Sequence, residues 1–431
     1  MKGFRQWIVA IVALVVVSGC ATSEETEGGR SAGPRAALNR TGYVELDLAA
    51  AENTVRSIQL YRGEEHQLPI LSLRTNDRLT LEFDILVEDG RPLSAYFYHA
   101  DRIWRRDLTP SQYLESYQHD NILDYQISTG TQVPYVHYTY RFPNENIEFL
   151  ISGNYIIRVT EQGDEEAILF ERAFFVTEQA TALDLVTDRV LVGGYGFPFI
   201  QPIAEFVPAP GTEGGVFDYN VCFARNGRFD LARCSDRPSM MNAPLMQFYL
   251  EPETSFEPEA APYFLDLANL RASNQIVSAD FTTSPFRVEL EPDYAAFGGS
   301  GLAQPLDGQP IISSVLPIGD GDVRGEYVQT RFVFVPPNER RLAGDVLVTG
   351  SFNGWRYDPA NRLEWVPDNR RYEGEILLKQ GHYEYRYVSR DRRALQQAMP
   401  QASSQLLAFV YYDDPSLQTD RLLAVKQTIA Q

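Results

Sequence analysis

Between Thr54 and Glu178 apolar and polar residues alternate with a period of two. Leu79, Leu81, Phe83, Ile85 and Val87 interleave with Thr80, Glu82 and Asp84, so one face of the predicted strand is apolar and the other polar. Val136, Tyr138, Tyr140 and Phe142 repeat the pattern against His137, Thr139 and Arg141, and Tyr155, Ile157 and Val159 repeat it again. Turn-forming runs separate these stretches, among them Glu88-Asp89-Gly90-Arg91-Pro92 and Gln162-Gly163-Asp164. Short strands at this spacing, with no helical period between them, predict a β-sandwich over residues 46–180.

Residues 181–337 are less periodic and rich in Pro and Gly, above all from Pro202 to Gly215 and from Gly298 to Gln309. Strands are predicted there at Phe217 to Ala224, Met246 to Leu250 and Phe286 to Leu290, giving a middle β domain with long loops. Alternation returns from Tyr327 to about Val425, with Val346 and Val348 early and Tyr383, Tyr385 and Tyr387 late, and a third β unit is predicted over 338–431. The fold class is all-β, with tandem Ig-like β-sandwich domains.

The first nineteen residues follow a different rule. Lys2 and Arg5 precede an apolar run from Trp7 to Val17, the layout of an export signal and too short to span a bilayer. The run ends in Val17-Ser18-Gly19-Cys20, which resembles a lipobox, so 1–19 is read as a lipoprotein signal peptide and Cys20 as the lipidated residue. An acylated cysteine carrying several chains anchors a protein without any membrane span of its own. Residues 20–45 are rich in Ser, Thr, Glu, Gly and Ala, a composition that buries too little apolar area to order itself, and are read as a flexible tether. Ser23-Glu24-Glu25 resembles the acidic signal that sends some lipoproteins to the cell surface, so the leaflet stays open on residues alone.

Without the signal the chain carries 36 basic and 58 acidic side chains, a net charge of −22 that argues against nucleic acid as a partner. With Cys20 taken by lipid, Cys222 and Cys234 remain as an even pair in an oxidising compartment, either disulfide-bonded or present as two half-buried thiols. They flank Arg225-Asn226-Gly227-Arg228, whose Asn-Gly predicts a tight hairpin. A strict two-residue turn would pair Cys222 with Leu231, so a bond to Cys234 requires a bulge or a longer loop.

Catalytic and metal signatures are weak. His66, His99, His119, His137 and His382 stand singly, without the spacing that places two ligands on one helical face, and are read as ordinary surface or core histidines. Gly298-Gly299-Ser300-Gly301-Leu302 lacks the last glycine of a nucleophile elbow. Asp320-Gly321-Asp322-Val323-Arg324-Gly325 begins like a calcium loop, but Arg324 puts a cation where an oxygen ligand belongs. No enzyme activity, metal or other cofactor is expected.

Several pieces in order then resemble the N-terminal domain of the type IX secretion system plug protein family: Ser57-Ile58-Gln59-Leu60-Tyr61-Arg62, Leu68-Pro69-Ile70-Leu71-Ser72-Leu73, Tyr98-His99-Ala100-Asp101 with Trp104, Thr139-Tyr140-Arg141-Phe142-Pro143-Asn144-Glu145 and Ser152-Gly153-Asn154-Tyr155. The resemblance implies a protein without catalysis that closes the periplasmic end of the outer-membrane barrel exporting type IX cargo. It also implies an outer-membrane location, most simply on the periplasmic face, with the barrel as partner, and the lipid that the lipobox assigns to Cys20 would be the anchor there. Tyr98, Trp104, Arg105 and Arg106 are of the types enriched at interface anchors and are the expected contact residues. A second resemblance gives the alternative, a carbohydrate-binding envelope lipoprotein. Gly350-Ser351-Phe352-Asn353-Gly354-Trp355, Trp365 and Gly381-His382-Tyr383-Glu384-Tyr385-Arg386-Tyr387 resemble Ig-like glycogen-binding modules, in which Trp355 and Trp365 would stack on sugar faces.

Overall fold

In the computed structural model, which describes residues 44, 46–212, 215–238, 244–299, 308–315, 321–390, 395 and 403–430, the alternating stretches are strands. The first region holds β1 (Val55–Arg62), β2 (Ile70–Ser72), β3 (Leu79–Ile85), β4 (Leu93–Ala100), the short helix α1 (Pro110–Tyr113), β5 (His119–Ile122), β6 (Tyr125–Ile127), β7 (Val136–Phe142), β8 (Gly153–Glu161) and β9 (Ile168–Thr177). Next come β10 (Leu183–Leu191), β11 (Pro198–Phe206), β12 (Tyr219–Arg225), β13 (Arg228–Ser235) and β14 (Met246–Tyr249). They are followed by β15 (Tyr263–Asp266), β16 (Ile276–Asp280), β17 (Arg287–Leu290), β18 (Asp293–Tyr294), β19 (Ile311–Ile312), the helical turn α2 (Gly321–Arg324), β20 (Tyr327–Val335), β21 (Val346–Gly350), β22 (Arg362–Val366), β23 (Arg371–Lys379) and β24 (Gly381–Ser389). The hairpin β25 (Ser404–Asp414) and β26 (Thr419–Ala430) ends the chain. Cys20 and the signal and tether positions before Val44 lie outside the described residues, as do Ser300, Gly301, Leu302 and Asp320.

The first sandwich packs sheet β1-β3-β7-β6 on sheet β2-β9-β8-β4-β5. Its core is aromatic: Phe83 stacks on Tyr138 at 5.1 Å between ring centroids and meets Phe170 edge-on at 4.9 Å. The second sandwich opposes β10-β11-β14 to β13-β12-β25-β26, so the last hairpin of the chain supplies half of one sheet. Pro202, expected in a loop, lies within β11 beyond the Ile203–Phe206 stretch that pairs with β14, where its missing N–H costs that ladder no bond. In the third sandwich β22 pairs with β21 through Arg362 and Leu363 and with β23 through Glu364 to Val366, so the pairing passes from one sheet to the other.

The expected division between 337 and 338 does not follow this pairing. β20, before it, pairs with β23, after it, and β25 pairs with β12 of the second sandwich. The third sandwich is therefore inserted between strands of the second. The cause is legible in β25: Leu406, Ala408, Val410 and Tyr412 face the core of the second sandwich, while Leu407, Phe409 and Tyr411 face the first. A strand apolar on both faces must be covered on both.

Two seams join the first sandwich to its neighbours. Against the second the seam is apolar, built from Trp104, Ile156 and Phe175 on one side and Phe229, Leu407, Phe409 and Tyr411 on the other, with Phe175 and Phe409 4.6 Å apart. Ion pairs border it, Arg102 to Asp420 at 3.0 Å and Arg421 to Glu178 at 2.7 Å. Cys222 and Cys234 form a disulfide beside this seam. Asn226 and Gly227, both at positive φ, make the tight turn that pairs Arg225 with Arg228, and a register shift between Phe223 and Arg225 then brings Cys222 opposite Cys234. That shift is the departure from a strict two-residue hairpin that the bond requires.

Candidate functional site

The seam between the first and third sandwiches is polar. Sheet β1-β3-β7-β6 turns its outer face to α2, β20 and β23, and Asp84, on the polar side of β3, is fully buried there. Its carboxylate accepts hydrogen bonds from Lys379 Nζ at 2.7 Å, Tyr327 Oη at 2.7 Å and His137 Nδ1 at 2.8 Å. Burial alone would raise its pKa, but the ammonium of Lys379 and the imidazole of His137 hold it below the usual carboxylate range. Lys379 also donates to the carbonyl of Asp322 at 2.6 Å and lies 4.1 Å from the centre of the Tyr135 ring. Two further bonds continue the seam, from Thr129 N–H to Val323 O at 3.0 Å and from the Tyr135 hydroxyl to Gly325 O at 3.0 Å. The polar face of β3 thus meets another domain, whose Lys379 and Tyr327 hydrogen-bond to Asp84.

Beside Asp84, a carboxylate oxygen of Glu82, one of Asp322 and a ring nitrogen of His137 lie within 4.8 Å of one another. Burial, and then the charge of Asp322, push the Glu82 carboxyl up, while Tyr61 hydrogen-bonds to it. On His137 burial pushes the imidazole pKa down, but the hydrogen bond and charge of Asp84 outweigh it and the net direction is up. These are the residues best placed to hold a cation. Among the other histidines, His99 is buried on Asp107 at 2.8 Å and His382 lies 3.4 Å from Asp266.

The sequence-predicted contact residues lie elsewhere and are largely engaged. Trp104 is only 8% exposed and packs edge-on against Phe175 at 5.4 Å, so it belongs to the apolar seam and is withdrawn from any outside partner. It is held there by the turn after β4, where the Asp101 carboxylate accepts from the backbone N–H of Ile103 and Arg105. Tyr98 is half-buried beneath the guanidinium of Arg106, 3.8 Å from its ring centre, and its hydroxyl bonds to Glu165. Arg105 pairs with Asp101 at 2.7 Å and Arg106 with Glu171 at 2.8 Å, both with exposed edges.

The tryptophans expected to stack on sugar are also packed. Trp355 is 9% exposed, donates Nε1–H to Gly308 O at 2.8 Å and has the Arg386 guanidinium 5.4 Å from its ring. Trp365 is half-buried against Tyr372 at 4.9 Å. A pocket of the third sandwich is lined by Asp345, Leu347, Tyr357, Pro359, Arg362, Ser389 and Arg390, with neither tryptophan. Trp355 is thus withdrawn from solvent and Trp365 partly so.

Exposed apolar surface gathers instead on the β10–β11 hairpin. Leu191, at 80%, is the most exposed large hydrophobic residue among those described, with Val186 and Tyr195 on the same hairpin. Tyr195 packs edge-on against Phe199 at 4.9 Å, and Phe197 stacks on Phe199 at 6.1 Å. Among the described residues β10 pairs only with β11, so the hairpin also presents a free strand edge. Sequence reasoning missed this surface, although the run Val190-Leu191-Val192-Gly193-Gly194-Tyr195 signals it by placing apolar residues at a Gly-Gly turn.

Residues 55–178 match the family described as type 9 secretion system plug protein 1st domain. The match spans the whole first sandwich, from β1 to just past β9. The fold is similar to a crystal structure of a hypothetical protein from Parabacteroides merdae, with a TM-score of 0.79 at 20% identity, covering 90% of this chain and 100% of the other. No curated protein matches the sequence.

Proposed function

We propose, on the match of the first sandwich to the type 9 secretion system plug protein 1st domain, that the protein is a non-catalytic plug subunit of that system, closing the periplasmic end of the outer-membrane translocon barrel by steric occlusion. The match over residues 55–178 carries the reading. Closing a wide, water-filled barrel requires a body that keeps its shape, and both seams of the first sandwich supply rigidity: one is interlocked by aromatic rings, the other by a satisfied buried charge network. In this reading Cys20, once acylated, tethers the body at the membrane through the acidic linker. The β10–β11 hairpin is the contact we propose for the barrel rim, since it joins exposed apolar side chains to an unpaired strand edge. The carbohydrate-binding alternative finds no support in the packed positions of Trp355 and Trp365.

The test is a deletion strain complemented with the tagged full chain. Loss of the gene is expected to admit a large hydrophilic antibiotic into the periplasm, and the tagged chain is expected to co-purify with a large outer-membrane barrel. Leu191→Asp combined with Tyr195→Asp should reduce that recovery without unfolding the protein, because neither side chain lies in a core cluster. An unchanged permeability barrier together with no barrel in the purified material would refute the proposal.

A further inference from the structure

We propose that Glu82, His137 and Asp322 bind a divalent transition-metal ion of the zinc class, which ties the first sandwich to the third. This inference is independent of the plug reading.

The donor set suits such an ion: one imidazole nitrogen and two carboxylate oxygens, gathered within 4.8 Å. Glu82 comes from β3 and His137 from β7, neighbouring strands of one sheet, whereas Asp322 comes from α2 of the third sandwich. A single ion would therefore coordinate across the seam.

The histidine is prepared for ligation by a group outside the trio. Asp84 accepts the hydrogen bond of His137 Nδ1 at 2.8 Å, which fixes the tautomer and leaves Nε2 as the ligating nitrogen. Nε2 makes a long 3.4 Å contact with the Thr139 hydroxyl. Asp84 is in turn oriented by Lys379 and Tyr327, so the support of the first-sandwich ligand is itself contributed by the third. Lys379 serves both halves, because the same ammonium holds the carbonyl of Asp322 at 2.6 Å and so positions α2.

Charge balance argues in the same direction. Lys379 is paired with Asp84 at 2.7 Å, so the ammonium of the seam is engaged outside the trio. A divalent cation with two carboxylates and a neutral imidazole makes an assembly of zero net charge, the form in which such groups are best tolerated away from water. Three protein ligands leave a fourth position for water. The segment that begins like a calcium loop thus supplies a ligand through Asp322, in a site completed by a different domain and not by the rest of its own loop.

The experiment uses the purified mature chain, stripped with chelator and titrated with Zn²⁺ by calorimetry and with Co²⁺ by visible absorbance. One Zn²⁺ per chain is expected to bind, with a rise in the thermal midpoint, and Co²⁺ is expected to show the bands of a low-coordinate nitrogen and oxygen site. Asp322→Asn and Glu82→Gln should each weaken Zn²⁺ binding by at least about tenfold. Asp322 lies half-exposed on a short helical turn, so its variant is read even where Glu82→Gln fails to fold. Absence of stoichiometric binding to the native chain, or a folded Asp322→Asn protein that binds Zn²⁺ as tightly as the native one, would overturn the assignment.

Discussion

Replacing Asp84 with alanine strips the polar seam of the carboxylate on which three donors converge. Lys379 and Asp84 are each 1% exposed, so the ammonium left behind has no bulk water to turn to, and Tyr327 and His137 each lose an acceptor. Removing one member of a buried ion pair costs about 3–5 kcal/mol, because the surviving charge keeps its desolvation penalty and loses its compensation. At a urea m-value of about 3 kcal/mol per molar, the unfolding midpoint falls by about 1 M or more. Trp355 and Trp365 lie in the third sandwich, and Trp104 in the apolar seam, so tryptophan fluorescence follows both sides of the structure during the transition. Chelator in the buffer keeps the measurement separate from any metal effect. Lys379→Met in the same chain should restore most of the loss, since a flexible apolar chain of similar length then replaces the stranded cation. A loss below about 1 kcal/mol for Asp84→Ala, or a double variant as unstable as the sum of the singles, would refute the view that this pair is tightly coupled.

Two further outcomes test other parts of the fold. Reduction of the Cys222–Cys234 bond, or its replacement by serines, is expected to cost about 3 kcal/mol, read as a lower urea midpoint with dithiothreitol than without. Asp293 is raised by burial to about 6, against the opposing hydrogen bonds of Tyr385 and Tyr387, each at 2.6 Å. Its folded-state value exceeds the unfolded value of 3.8, so the folded chain holds that proton more tightly. The associated stability is fully present below about pH 3.8 and is lost as pH rises through about 6, roughly 3 kcal/mol in total. Asn at this position should flatten that part of the profile in urea midpoints measured between pH 4 and pH 7.

Local alternation was a reliable guide to strands and a poor one to their surroundings. β3, β7, β8 and β24 lie where Leu79 to Ile85, Val136 to Phe142, Tyr155 to Val159 and Tyr383 to Tyr387 alternate, because a period of two is a property of the strand itself. Whether Asp84 faces water or Lys379 depends on a strand almost three hundred residues away, and no local pattern encodes that. The same reason hid the cation-binding trio, whose third member belongs to another domain. The path of the terminal hairpin did leave a trace. Leu406-Leu407-Ala408-Phe409-Val410-Tyr411-Tyr412 is apolar without interruption, the signature of a strand covered twice, and it marks β25 as an interior strand. Trp104 shows the limit of residue type as a guide, since an aromatic ring beside two arginines describes an internal joint as well as an external anchor.

The insertion of one sandwich within another sets an order of events during maturation. β12 finds its neighbour β25 only after the whole intervening domain has emerged, so the middle of the molecule stays open until the end of the chain arrives. The first and third units can collapse early, each on strands close in sequence, while the second is completed last. A premature stop before Ser404 would consequently spare the region nearest the break and leave the centre without two of its strands.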